Sequence, residues 1–342
     1  MSRPTRTWII AITLLATSAL AGESGYHADR SILVGGDGGW DYITVDTSSH
    51  RVFATHGTHV AVVDTRTDSV AGDIPDTPGV HGVALAYDVG RGFTSNGRDS
   101  SVSVFDLKTL AVIGRIAVGS PNPDAILYDK ASGRVFTFNG RGKNTTAIDA
   151  RTQKVVGTLA LGGKPEAGVT DGAGRIYVNN EDSSTVVEFD SKKLKQLNVW
   201  SLAPGKEPSG LAFDRVHHRL FSGCSNQKLI VLDSKTGRKV AEVPIGKRVD
   251  GVEFDPAQQL VFSSNGEGTL TVIHEDDPDH YRVVENVPTQ MSGRTLALDP
   301  RDGTVYIPAA DLTPPPAPTP ENPNPRWGIV PGTFRVLVVH RQ

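Results

Sequence analysis

His56 and His59 stand three residues apart in the stretch RVFATHGTHVAVVDTRTDSVAG, residues 51–72. A pair of imidazoles raises the question of a metal site, because neutral imidazole is a common ligand for divalent transition metals. The spacing itself carries little. A His-x-x-His pair is diagnostic when a helix presents both rings on one face, and this stretch alternates apolar and polar residues with period two, as a half-buried strand hairpin does. Whether these histidines meet other ligands depends on the elements that carry them, and the stretch is one copy of a repeat.

An aromatic residue following a turn recurs at Phe53, Phe93, Phe136, Tyr177, Phe221, Phe262 and Tyr306, with spacings of 40, 43, 41, 44, 41 and 44. A period in the forties signals an array of similar units. Each unit reads as four strands, as in GLAFD, RLFSG, KLIVLD and KVAEVPIG between residues 210 and 246, separated by turns rich in Asp, Gly and Lys-Thr-Gly. The reading is all-β: seven four-stranded antiparallel blades arranged as a β-propeller. A solenoid is the alternative, and the chain ends discriminate. The seventh unit stops after its third strand, residues 334–342, while residues 29–36, DRSILVGG, align with fourth strands such as KVVGTLALGG. One blade completed from both ends closes a ring and hides the edges that an open array would expose.

The segment RIYVNNEDSSTVVEFD, residues 175–190, resembles the repeat of the YVTN β-propeller family, with Tyr177-Val178-Asn179-Asn180 in place of the name-giving tetrapeptide. The similarity runs from about residue 29 to residue 342, and YncE-like exported proteins are the nearest group. It implies the fold and says little about activity, since one scaffold hosts many functions. Structural residues carry most of it. Asp64, Asp106, Asp149, Asp190 and Asp233 close third strands and are expected to bond turn amides; His274 and His340 take that place in the last two units.

In a propeller the innermost strand starts at one mouth of the central channel, and the second strand ends beside it. Two rings are therefore expected there. The first is Asp41, His81, Asp124, Glu166, Ser209, Asp250 and Arg294; the second is His56, Asn96, Asn139, Asn180, Cys224, Asn265 and Ala309. From these rings and the insertion described below, the candidate ligand-binding set is Asp41, His56, His81, Asn96, Asp124, Asn139, Glu166, Asn180, Asp250, Asn265, Arg294 and Trp327. Asp41, His56, His81 and Asp124, from adjacent units, are candidate ligands of a divalent metal, which could polarise a carbonyl or activate water. Against this, His56 fills a slot where four sisters have Asn, a turn-forming residue, often followed by Gly. The acids could equally line a hydrated funnel. Cys224 beside Ser209 has no base aligned with it and reads as a small buried hydrophobe. Arg294 could clamp a carboxylate or neutralise Asp250.

The seventh unit carries the one long insertion, DLTPPPAPTPENPNPRWGIVPG, residues 311–332, between second and third strands and so on the face of both rings. Its prolines favour an extended segment. It reads as a surface decoration, a ligand for an aromatic-lined partner, or a lid with Trp327 as its covering residue.

The N-terminus, MSRPTRTWIIAITLLATSALAGES, has the basic, apolar and small-residue order of a secretory signal peptide, with cleavage expected after Ala21. The apolar run is too short to span a membrane. A periplasmic or secreted chain is expected, a monomer with residues 22–342 as a single propeller domain. Without residues 1–21 it has 33 basic and 38 acidic residues, no clustered charge for phosphate contacts, and one cysteine, hence no intrachain disulfide. The preferred function is an exported scaffold that binds a small ligand or a protein at the mouth bearing the Pro-rich loop. The alternative is a metal-assisted hydrolase or lyase of lactone-like substrates, by analogy with gluconolactonase-type propellers whose acid and Asn ligands are loosely echoed by Glu166, Asn180 and Asp250. Single-stranded DNA binding, associated with YncE-like proteins, is opposed by the acidic first ring.

Overall fold

Tight turns between alternating segments force each repeat into an antiparallel meander. The computed structural model describes residues 24–319, 322–323 and 325–342; the expected signal peptide lies outside them. In the third blade the strands are Pro123–Asp129, Arg134–Asn139, Asn144–Asp149 and Lys154–Ala160, paired in chain order. Five other blades repeat this order. Apart from a 3-10 turn at Tyr87–Val89, the regular elements among the described residues are strands. No helix among them is long and apolar enough to cross a membrane.

The seventh blade is assembled from both ends of the chain. Its strands are Ala297–Asp299, Thr304–Ala309, Arg335–Arg341 and, outermost, Tyr26–Leu33. The closing strand runs antiparallel to Arg335–Arg341, from Tyr26 opposite Arg341 to Leu33 opposite Arg335. It begins earlier than residue 29, because the apolar Tyr26 drops into the blade 6–7 core, and it ends before the two glycines Gly35 and Gly36, both at positive φ. Inner strands touch their neighbours all the way round, and the innermost strand of blade 7 touches that of blade 1. The ring is closed, and the solenoid reading is excluded.

The repeated aromatic has a packing reason. Flat sheets arranged radially leave a wedge between neighbours that a large ring fills. Phe53 lies 5.8 Å from Phe105 of the next blade, Tyr177 5.3 Å from Phe213, Phe221 5.2 Å from Phe254, and Phe262 5.2 Å from Tyr26. All seven anchors are buried, each contributing about 1.5–3 kcal/mol by removal from water. The third-strand aspartates bond turn amides as expected: Asp149 Oδ1 accepts from the backbone N–H groups of Arg151 (3.1 Å) and Thr152 (2.7 Å), and Asp64, Asp106, Asp190 and Asp233 accept likewise.

Candidate functional site

The innermost strands of blades 2 to 6 each carry a register shift at their start. In blade 2, Val80 pairs with Asn96 and Gly82 with Ser95, so His81 is an extra residue with no partner in the ladder. Equivalent shifts place Asp124, Glu166, Ser209 and Asp250. A bulge of this kind re-aims a side chain. Here it turns the first ring toward neighbouring blades around the channel mouth.

The result is a belt of alternating charge. Arg294 of blade 7 contacts Asp250 of blade 6 and Asp41 of blade 1 (3.5 Å). His81 Nδ1 lies 2.6 Å from Asp41 Oδ2 and 3.5 Å from Asp124 Oδ1. Lys164 contacts Glu166 (2.7 Å) and Glu181. Ser209 turns away and donates to Val249 O (2.8 Å). Five carboxylates thus share two permanent cations and one imidazole. Asp124, Glu166 and Asp250 are all held above the usual carboxylate range, by burial first, and Asp41 and Asp250 add repulsion at Asp124. Burial pulls His81 down, but its bond to Asp41 and the charges of Asp124 and Asp41 outweigh that, leaving it raised.

Three of the four candidate metal ligands come together. One ligand atom each from Asp41, His81 and Asp124 lies within 4.8 Å of the others. His56 does not join them. Its ring is fully buried, stacked on Phe334 (4.4 Å between centroids) and covered by Gly36, where an added Cβ would fall 2.8 Å from the imidazole. Neither ring nitrogen has a hydrogen-bond partner, and burial lowers its pKa. His59 packs edge-on against it at 5.0 Å. The opening pair is therefore part of the packing where blade 1 meets the closing segment.

The second ring as a whole is corrected in the same way. Its asparagines are buried and do not line the mouth, and those of blades 2, 3 and 6 bond within their own blades. Asn96 Oδ1 accepts from Thr94, and its Nδ2 donates to Ser101 (3.1 Å) and Ser103 (2.9 Å). Asn139 repeats this with Thr137, Asn144 and Thr146, and Asn265 with Ser263, Thr269 and Thr271. Asn180 donates to Leu161 O (2.8 Å). None of them has positive φ, so a left-handed backbone is not what selects asparagine; the amides instead bridge the hairpin turn to Ser101, Asn144 and Thr269. The following glycines leave room for the first ring: a Cβ at Gly97 would fall 2.5 Å from His81 Nε2, and one at Gly266 would press on Arg248 and Arg294. Cys224 is buried with its thiol pushed up to about 11 by burial, as a small hydrophobe.

The insertion reaches the mouth through its base. Leu312–Thr313 pairs with Gly328–Ile329 in a short ribbon, and Leu312 and Ile329 line a cavity of about 290 Å3 together with Trp40, Arg248 and Arg294. Trp327 is 44% exposed and does not line that cavity, so the covering residues are Leu312 and Ile329. Sequence reasoning missed Trp40, Lys164 and Glu181 as well; Lys164 was visible as the cation two residues before Glu166.

The fold and belt together define a seven-bladed β-propeller with an acid-rich channel mouth. No protein-family model matches the chain, and no curated protein does. Among solved structures it is similar to a chain of Kuenenia stuttgartiensis hydrazine synthase, with 16% identity over 80% of this chain and 92% of that one and a TM-score of 0.71. It is also similar to a chain in the crystal structure of a mitotic checkpoint complex, with 14% identity over 89% and 96% and a TM-score of 0.73. At such identities the likeness is one of fold.

Proposed function

We propose that this protein is an exported, YVTN-like binding scaffold whose channel mouth takes a small ligand bearing a cationic group. The observation that carries this reading is the unequal belt: five carboxylates from four blades against Lys164, Arg294 and a titratable His81. Burying carboxylates without full neutralisation is costly, and a cation placed among Asp41, His81 and Asp124 relieves that cost. The adjoining cavity under Leu312 and Ile329 suits the apolar part of the same ligand. Binding rather than turnover is favoured because Cys224 and Ser209, the two nucleophile types in these rings, are buried or bonded to backbone. The basic and apolar order of residues 3–21 supports export.

The test is calorimetric titration of tag-free protein with aliphatic diamines, quaternary ammonium compounds, zinc and manganese, with carboxylates of matching size as controls. At least one cation is expected to bind, and Asp41→Asn with Asp124→Asn to weaken it tenfold or more. Binding of no cation, or equal binding by the double variant, would falsify the reading. Mass spectrometry of the exported chain is expected to show Gly22 as the first residue.

A further inference from the structure

On the face opposite the mouth, a second group of ligand-type side chains meets between blades 5 and 6. Asp214 ends the innermost strand of blade 5, Pro208–Asp214, and His217 lies in the turn that follows. Glu275 comes from blade 6, whose two outer strands, Thr269–Asp277 and His280–Pro288, are nine residues each where the corresponding strands of blades 1 to 5 have six or seven. That longer hairpin reaches across to blade 5, and Arg219 holds it there by donating to Pro278 O (2.8 Å) and Asp279 (3.2 Å).

We propose that Asp214, His217 and Glu275 bind a divalent transition-metal ion, zinc being the best match, clamping blade 5 to the extended hairpin of blade 6. His217 Nδ1 lies 2.7 Å from Asp214 Oδ2 and 3.7 Å from Glu275 Oε1, and one ligand atom from each residue falls within 4.8 Å of the others. Ligands about 2.0–2.2 Å from a tetrahedral zinc stand about 3.3 Å apart, so shifts of about half an ångström would complete the set. A second observation falls on the same carboxylate. Glu275 is completely buried, yet its Oε2 has no hydrogen-bond partner. A buried carboxylate oxygen left unpaired is costly and rare, and the nearest guanidinium, on Arg219, is committed to Asp233, Asp279 and backbone carbonyls.

The surroundings suit a metal. Val216 N–H donates to Asp214 Oδ1 (2.9 Å) and Tyr281 O–H to Glu275 Oε1 (3.1 Å), which orients both carboxylates from outside. The His217 side chain is 34% exposed, leaving a path and a fourth position for water. One imidazole with two carboxylates fits zinc or cobalt better than calcium, which takes six to eight oxygens. Metal binding replaces the Nδ1 to Asp214 hydrogen bond: the ring binds the ion through Nδ1 with its single proton on Nε2, so a neutral ring moves its proton from Nδ1 to Nε2 and an imidazolium releases one to solvent.

The test uses the tag-free full chain carrying Asp124→Asn, which silences the trio at the mouth. After dialysis against chelator, this parent is expected to bind one equivalent of zinc and to give a visible cobalt absorption band. His217→Gln, and separately Glu275→Gln, which keeps an acceptor for Tyr281, are expected to lower zinc affinity at least tenfold and abolish the cobalt band. Without metal they should melt within a few degrees of the parent. If one variant fails to fold, the other decides. No zinc binding by the parent, or unchanged affinity in the folded variants, overturns the proposal. Its failure leaves the reading of the mouth untouched, since Asp41, His81 and Asp124 take no part in it.

Discussion

The two rings at the mouth begin side by side on paired strands and end in opposite roles. Residues of the first ring lie outside the ladder, at bulges in blades 2 to 6 and ahead of the innermost strand in blades 1 and 7, and several reach across to a neighbouring blade: Asp41 to His81, His81 to Asp124, Arg294 to Asp250. Residues of the second ring stay in the ladder, opposite Val80, Pro123, Pro165, Pro208 and Val249, and the asparagines of blades 2, 3 and 6 close on their own blade. In those three blades the side chains inside the pairing satisfy one another. Those pushed out of it carry charges that the fold leaves unbalanced, and binding chemistry collects there.

The hardest blow to this contrast would come from Asn139→Ala. Removing a fully buried amide that serves Thr137, Asn144 and Thr146 is expected to cost about 2–4 kcal/mol in denaturant unfolding, with unchanged cation affinity at the mouth. A loss under about 1 kcal/mol, or weakened ligand binding, would merge the two rings into one.

His56→Asn sharpens it next. In blade 2 the asparagine faces Ser101 across the ladder and Thr94 faces Ser103, but in blade 1 the same places hold His59, Ala54 and Ala61. An asparagine there meets no hydroxyl and loses the stack on Phe334, so a destabilisation of about 1–3 kcal/mol is expected from a substitution that copies the sister blades. A neutral or stabilising result would restore the turn-residue reading.

Glu253 extends the contrast down the channel, where it faces the cavity along the innermost strands. Burial pushes its carboxyl up to about 7, with Arg215 opposing. An unfolded glutamate ionises near pH 4.3, so between about pH 4.5 and 7 the unfolded chain gives up a proton that the folded one keeps. Stability from this group is complete below that window and declines as pH rises through it, by about 3–4 kcal/mol, then stays level. Glu253→Gln is expected to gain about that much at pH 8 and nothing at pH 4, as pH-dependent unfolding would show.

Smaller effects should follow at the rim. Asp124→Asn is expected to change stability by less than about 1 kcal/mol while removing ligand affinity, the reverse of Asn139→Ala. Trp327→Ala should do neither, staying within about 0.5 kcal/mol because the ring is exposed and off the cavity. Weakened binding in that variant would return the tryptophan to the lid.

The blades, their aromatic anchors and the split seventh blade were legible because each repeats or completes a pattern with a single packing solution. The first ring was legible because counting from Phe53 and its sisters fixes where a strand starts. Orientation was not. His56 and Asn96 occupy one alignment column, but where each points is set by cross-strand partners, and the hydroxyls of Thr94, Ser101 and Ser103 were the unread signal. Asp214, His217 and Glu275 escaped notice because only the lengthened hairpin of blade 6 brings Glu275 to a turn some 60 residues earlier.

The pairing of Tyr26–Leu33 with Arg335–Arg341 also sets an order of events during synthesis. The first blade strand to be made has no partner until nearly the last residues of the domain exist, and bringing the two together closes a loop of about 300 residues. Six blades can mature while that strand waits, but the ring cannot. A chain cut short anywhere before Arg335 keeps two raw edges, one at each end of the arc, and presents them to any protease or neighbouring strand it meets. Closure therefore separates finished copies from interrupted ones by a physical mark, the presence or absence of two unpaired strand edges.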